Sequence, residues 1–431
     1  MNVQIEHLHK NQIKLTIELQ SDEIKSALEK TAQHISEHAN FAGFRPGKAP
    51  YNMVVQKYGE AAIYQEAAEE IVRQTYPQAV IDNKLEAIGR PEVALVKVAP
   101  GNPFVYTATV ALMPEVTLGD YKNIKARKKD IKLDEKELER TLEDLRWMRS
   151  KEALVDRPAR KGDRIEVDLH LSLDGVALEN GQAHNQSIIL GKQQVVPGME
   201  EQLTGMKKGD VKEFKLSYPK DYFQKQLAGK EVNFKATAKN IYQIDLPEVN
   251  DEFAKAVGKF ENRAALEKQI NANLHHEHTE KEQQRFEVEL IKEIVASTKF
   301  GEIPDVLVES ELDRMLSELK QGAVQQGLSW ENYLQQLKKT EADLRQEFVE
   351  QAHHRIKSAL VLRAIQQQEQ LTVSPDQIDA EIKHQKEHYK DDVETYGKID
   401  SPQYRDYLEN VMLNRKVFEF LEGLVYPIAA K

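Results

Sequence analysis

A multidomain α+β architecture is predicted for this 431-residue chain by three observations. The length favours two to four domains at roughly 100 to 200 residues each. Prolines crowd the first 114 residues, where strand-period and helix-period stretches alternate, and eight of the 20 glycines fall between about 158 and 245. From Leu246 onward glycine is sparse and helix formers dominate. These shifts outline an α+β region over 1–114, a connector with a helix over 115–157, a small turn-rich β domain over 158–245 and an all-α region over 246–431.

Each element follows from a local pattern. Between Val3 and Leu19 apolar residues alternate (Ile13, Leu15, Ile17, Leu19), the period of a strand with one buried face, and Phe104, Tyr106, Ala108, Val110 and Leu112 repeat it. Ser21 or Asp22 is placed to cap a helix carrying Ile24, Leu28 and Ile35 on one side, and a second helix is expected from about Glu60 to Asn83. After Pro114 a basic stretch (Lys122, Lys125, Arg127, Lys128, Lys129) leads to Asp134 and Glu137, a capping pair for the following helix. Alternation at Ile165, Val167, Leu169 and Leu171, and again at Val232, Phe234 and Ala236, predicts strands of the β domain. In the last region Pro304 suits a first helical turn, while Ser374-Pro375 and Ser401-Pro402 each pair an N-cap with proline at the first helical position. Leu290, Ile291, Ile294 and Val295 form one apolar helical stripe, and Phe348, Ile356, Leu360 and Ile365 another; such stripes ordinarily pack against neighbouring helices.

Composition narrows the chemistry. With 60 Lys+Arg against 71 Asp+Glu the net charge is −11, so any contact with a polyanion must come from a local patch. The absence of cysteine excludes disulfides, cysteine-ligated zinc, iron–sulfur ligation and thiol catalysis. The amino terminus lacks the basic and apolar regions of a signal peptide, and no run of about 18 apolar residues exists to span a bilayer, which points to a cytoplasmic protein without a membrane partner. No P-loop, dinucleotide fingerprint, nucleophile elbow or EF-hand loop is found, so no cofactor is expected. His384, Glu387 and His388 spell an inverted zincin pattern, but their polar surroundings offer no visible third ligand or shaped cavity, and no metal is expected there. His275, His276 and His278 read as a solvated helix face.

The informative segment is Asn40–Pro50, NFAGFRPGKAP, whose two glycines and two prolines cannot form a helix interior. No acidic residue occurs between Glu37 and Glu60, whereas Arg45, Lys48 and Lys57 do. A Gly/Pro-held tip would present Phe44 for stacking or pocket insertion beside guanidinium and ammonium donors for phosphate or carboxylate. The plainer alternative is a surface turn whose phenylalanine folds back onto its own domain.

Gly43-Phe44-Arg45-Pro46-Gly47-Lys48 resembles the ribosome-binding signature of the trigger factor family, bacterial chaperones of the nascent-chain exit. The resemblance extends over essentially the whole chain, in the order α+β ribosome-binding domain, linker, FK506-binding-protein-like (FKBP-like) β domain and helical carboxy-terminal domain. It implies that Gly43, Phe44, Arg45, Pro46, Gly47 and Lys48 dock on the large ribosomal subunit, partly on a ribosomal protein and partly on ribosomal RNA. It also implies that the helical domain forms arms around a cradle for nascent or unfolded polypeptides, released without ATP; homodimerisation of the free chain stays open. Leu190–Asp210 is similar to the FKBP segment in which a strand enters a short helix over a proline pocket, and Val195, Val196, Tyr222 and Phe234 fall on pocket positions. Leu169, Leu178 and Met199 stand where that family commonly has aromatics, and Glu179 replaces the usual aspartate. The implied activity is peptidyl-prolyl cis-trans isomerisation. The alternatives are a holding chaperone with a weak or inactive isomerase domain, and a helical scaffold without a ribosomal role.

Overall fold

The structure, a computed structural model, describes residues 1–173, 176–192, 196–219, 222, 227–390, 392–399 and 401–426, with the backbone alone for 179, 180 and 393–395. The chain divides into two compact units: residues 1–128 together with the chain from 283 onward, and residues 129–282.

The first unit opens with β1 (Asn2–His7), β2 (Gln12–Leu19), α1 (Ser21–His38), α2 (Tyr51–Tyr58), α3 (Glu60–Asp82), β3 (Ala87–Lys97), β4 (Phe104–Leu112) and the short β5 (Val116–Thr117). The four longer strands form an antiparallel sheet in the order β1-β2-β4-β3. Strand alternation turns Ile13, Leu15, Ile17 and Leu19 of β2 and Phe104, Tyr106, Ala108 and Val110 of β4 to one face. There they share a core with Ile24 and Leu28 of α1 and Ile63, Ala67 and Ile71 of α3. The alternation from Val3 to Leu19 proves to be a hairpin rather than one strand, because Lys10 and Asn11 take positive φ angles of 58° and 51° and reverse the chain. The cap of α1 is Gln20, not Ser21 or Asp22; its backbone N–H donates to Glu23 Oε2 at 2.8 Å. The eight-residue α2 is too short for its apolar period to stand out in the sequence, and it follows Pro50 and ends at Gly59 (φ 81°).

The second unit holds α4 (Glu135–Met148), β6 (Lys151–Leu154), β7 (Arg164–Leu173), β8 (Val176–Ile189), α5 (Met199–Leu203), β9 (Val211–Ser217), β10 (Glu231–Asp245), α6 (Asp251–Val257) and the first part of α7 (Arg263–Ser297). Its antiparallel sheet runs β6-β10-β7-β8, with β9 also paired to β10. Asp134 caps α4 by accepting from the Lys136 N–H at 3.0 Å. A small separate core joins Leu142 of α4, Phe253 of α6 and Leu266 and Ile270 of α7.

The remainder of α7 returns to the first unit, followed by β11 (Lys299–Phe300), α8 (Asp305–Gln325), α9 (Trp330–Leu337), α10 (Glu341–Gln368), α11 (Pro375–His388), α12 (Val393–Ile399) and α13 (Pro402–Val425). Pro304 sits at the N-cap of α8, one position before the first turn. Ser374 and Ser401 accept from the N–H groups of Gln377 and Tyr404, with Pro375 and Pro402 leading α11 and α13. Both apolar stripes are interior: Leu290, Ile291 and Ile294 pack with Val361, Ile365, Val417 and Leu421, and Ile356 and Leu360 are buried on α10. The segment after β5 threads into this helical core through Tyr121, Ile124 and Ala126. β5 pairs with β11, and Gly119 lies so close to Ser297 that a Cβ would stand 2.5 Å from its carbonyl oxygen. No helix among the described residues is long and apolar enough to cross a membrane.

Candidate functional site

The Gly/Pro loop joins α1 to α2. Gly43 and Gly47 have φ of 84° and 78°, a region that residues with a Cβ adopt at a cost. Two turns are closed by the Phe44 N–H donating to Phe41 O at 3.1 Å and the Lys48 N–H donating to Arg45 O at 3.0 Å. The Gly47 N–H donates to Ser36 O at 3.0 Å, and a Cβ on Gly47 would fall 2.8 Å from Glu37 Cγ. The loop is therefore held tightly against the end of α1. Phe41 is its anchor, buried in the core at 6% exposure, whereas Phe44 is 40% exposed. Arg45 and Lys48 are exposed, and neither has a carboxylate within ion-pair distance among the described residues. Lys57, counted with them from sequence, is also exposed, but it folds back along the surface onto the loop: its Nζ donates to Asn40 O at 2.6 Å.

In the β domain, six of the eight expected pocket residues come together. Leu169, Met199 and Phe234 are buried in one apolar cluster, with Leu178, Val196 and Tyr222 packed partly exposed against it. Val195 lies outside the described residues, and of Glu179 only the backbone is described. Gly198, in the left-handed region at φ 87°, starts α5 and so sets Met199 against the sheet. Two aromatics escaped the sequence reading. Phe214 stacks on Phe234 with centroids 5.6 Å apart, and Tyr218 lies 6.2 Å from Phe234 and edge-on to Tyr222 at 4.6 Å. Their signal was the alternation Phe214, Leu216, Tyr218, which places all three on the inward face. Burial pushes the Tyr218 hydroxyl up, so it remains neutral. Aromatic surface missing at Leu169, Leu178 and Met199 is thus partly supplied from β9 and the residue after it.

A hollow of about 440 Å³ in this domain is a different feature. It shares only Phe234 with the expected set. His170, Ser172, Lys215, Asn233 and Lys235 line it and alternate with inward residues, which assigns it to the outer face of the sheet. The frame of the domain is polar: Arg157 donates to Asp163 at 2.6 and 3.1 Å and the Arg160 N–H adds 2.8 Å. Burial opposes the charge on Asp163, but these donors win and hold its carboxyl below the usual range.

The helical region also carries open apolar surface, including the half-buried Phe348 at the start of the second stripe. Val324 at the end of α8 is 62% exposed. A hollow of about 320 Å³ between α8, α9 and α10 combines Met315, Leu319, Tyr333 and Phe348 with Glu318 and Arg355. Another, of about 700 Å³, is lined by α10 and α13 with Gln351, Gln366, Gln367, Asn410, Asn414 and Arg363 among its walls. Apolar and hydrogen-bonding groups are interspersed, a surface suited to weak, sequence-tolerant contact with unfolded chain. His384, Glu387 and His388 are exposed on α11, and no group of three metal-binding side chains occurs among the described residues. His275 and His276 are exposed, but His278 is not simply solvated: its Nε2 lies 2.9 Å from Glu137 Oε2.

Comparison with known proteins follows the same division of the chain. The family described as bacterial trigger factor protein matches residues 1–145, its carboxy-terminal counterpart residues 263–422, and FKBP-type peptidyl-prolyl cis-trans isomerase residues 155–246. A trigger factor of Caldicellulosiruptor saccharolyticus is 30% identical over 421 residues, covering 98% of this chain and 96% of that one. One of Agathobacter rectalis is 34% identical over 383 residues, covering 89% and 86%. A solved structure from a study of substrate recognition by the trigger factor chaperone aligns over 99% of this chain and 100% of that one, at 22% identity and a TM-score of 0.49. This chain belongs to the bacterial trigger factor family, ribosome-associated chaperones that carry an FKBP-type isomerase domain.

Proposed function

We propose that the loop 43–48 is the ribosomal docking element, with Phe44 entering a contact on a protein of the large subunit and Arg45 and Lys48 meeting ribosomal RNA phosphate. The carrying observation is an exposed ring flanked by two cations without acidic partners, on a loop fixed by Gly43 and Gly47. In a chain of net charge −11, such a patch gives local attraction to a polyanion that the whole molecule lacks. Docked there in the cytoplasm, the helical region from 246 onward would receive emerging polypeptide before its apolar segments aggregate. Co-sedimentation with large ribosomal subunits tests this. The Phe44→Ala, Arg45→Ala, Lys48→Ala triple variant should bind weakly, and equal binding by variant and wild type removes the docking role.

We assign the prolyl pocket to Leu169, Leu178, Glu179, Val195, Val196, Met199, Tyr222 and Phe234. An X-Pro bond isomerises through a twisted amide over a barrier of about 18 to 20 kcal/mol. A dry pocket that grips the ring and favours the twisted geometry lowers that barrier without a nucleophile. The apolar cluster around Phe234 and Tyr222 supports this reading. The aliphatic residues at three pocket positions favour modest turnover over none, since dryness survives and fit loosens. The full chain should accelerate proline-limited refolding, and Tyr222→Leu should lower that rate; no acceleration by wild type at micromolar concentration would leave a holding chaperone only.

A further inference from the structure

We infer that Lys57 is a positioning residue for the docking loop and not a third docking cation. The inference rests on the docking reading of residues 43–48. By sequence Arg45, Lys48 and Lys57 form one basic group; in the fold they divide. Lys57 occupies the last turn of α2, and its ammonium reaches back 17 residues to donate to Asn40 O at 2.6 Å. The same ammonium lies 4.7 Å from the centroid of Phe41 and 5.5 Å from that of Tyr58, two rings that are themselves 6.2 Å apart. A carbonyl and two π faces thus take up its charge. Leaving them for an external phosphate would surrender all three contacts.

The geometry gives the loop two fastenings. Lys57 ties the entry, at Asn40 and the buried Phe41, to α2. The Gly47 N–H ties the exit to Ser36 O of α1 at 3.0 Å. Between them the turn carrying Phe44 and Arg45 faces outward, and Lys48, just past the exit, is held to it by its N–H donating to Arg45 O, so the tip is ordered before it binds and less entropy is lost on docking.

A salt series separates the two roles, because a cation that neutralises a phosphate contributes about one to the slope of log K against log salt and a positioning residue contributes nothing. Full-length wild type, Lys57→Met, Lys57→Arg and Lys48→Met would be titrated against large ribosomal subunits across that series. Lys57→Met keeps the stem and should bind about fivefold more weakly at every salt concentration with the wild-type slope. Amide exchange at Phe44 and Gly47 should quicken in that variant, and Lys57→Arg, which can still donate and stack, should restore most of the binding. Lys48→Met should weaken binding and lower the slope by about one. Wild-type affinity for Lys57→Met, or a slope reduced by about one, overturns the inference. If Lys48→Met and the triple loop variant both bind as wild type, the docking reading itself fails and the role of Lys57 falls with it.

Discussion

Two short stretches of this chain, residues 43–48 and 122–128, both carry clustered cations, and the fold treats those cations differently. In the first, Arg45 and Lys48 are exposed without carboxylate partners among the described residues. In the second, the Lys122 ammonium lies 2.9 Å from Glu369 and the Lys128 ammonium bonds Glu422. The Arg127 guanidinium is taken by the carbonyls of Ile124 and Ala126 at 2.9 and 2.8 Å. The backbone follows the same rule: Glu293 accepts from the N–H groups of Lys125 and Ala126 at 2.9 and 3.1 Å. The cations of the first run stay open to an external partner, whereas Lys122 and Lys128 of the second are paired with Glu369 and Glu422 and fasten that run to the helical core.

The comparison is tested first by removing both patches' key groups. The Phe44→Ala, Arg45→Ala, Lys48→Ala variant should lose ribosome binding on the order of a hundredfold near physiological salt, with an unchanged thermal midpoint. Glu293→Ala should do the reverse, costing about 2 kcal/mol of stability by stranding backbone donors while leaving the affinity of the folded protein intact. Calorimetry and co-sedimentation on the same samples would check both, and a shared loss in either variant would blur the distinction.

Acidification should touch the second stretch selectively. The Tyr121 hydroxyl donates to Glu369 at 2.6 Å, and that bond, then Lys122, holds the Glu369 carboxyl below its usual range. A carboxyl lowered by folding contributes stability that is complete above its unfolded value and fades as pH falls through its folded value. Burial, and then the same bond, pushes Tyr121 up to about 12, so its contribution is complete below the ordinary tyrosine range and fades as pH rises toward that value. Glu369→Gln should therefore flatten the acid limb of the stability profile; a limb identical to wild type would dismiss the pair. The smallest effect is expected from Lys122→Met, an exposed ion pair whose loss should change stability by no more than about 0.5 kcal/mol and ribosome affinity not at all.

Much of this was legible before any coordinate. The alternation of β2 and β4, the span of α3 and the Ser-Pro starts of α11 and α13 are local patterns, fixed by steric period and by where an N–H is missing. The loop tip was equally visible, since Gly43, Gly47 and the proline between them constrain the backbone whatever surrounds it. Less legible were α2, too short to show a period, and the roles of Phe214 and Tyr218, which matter because β9 pairs with β10 and brings them to Phe234 and Tyr222.

By itself, then, the sequence determined the order of α+β, β and helical regions, the Gly/Pro-framed basic loop and the absence of thiol chemistry, all of which depend on residue type and near neighbours. Only the tertiary structure decided which cations are free. Neutralisation needs a partner within a few ångströms, and the partners of Lys122 and Lys128 lie far along the chain, at Glu369 and Glu422. The fate of Lys57 was settled the same way, by the Asn40 carbonyl and Phe41 ring that the turn between α1 and α2 brings to it, beside its own neighbour Tyr58.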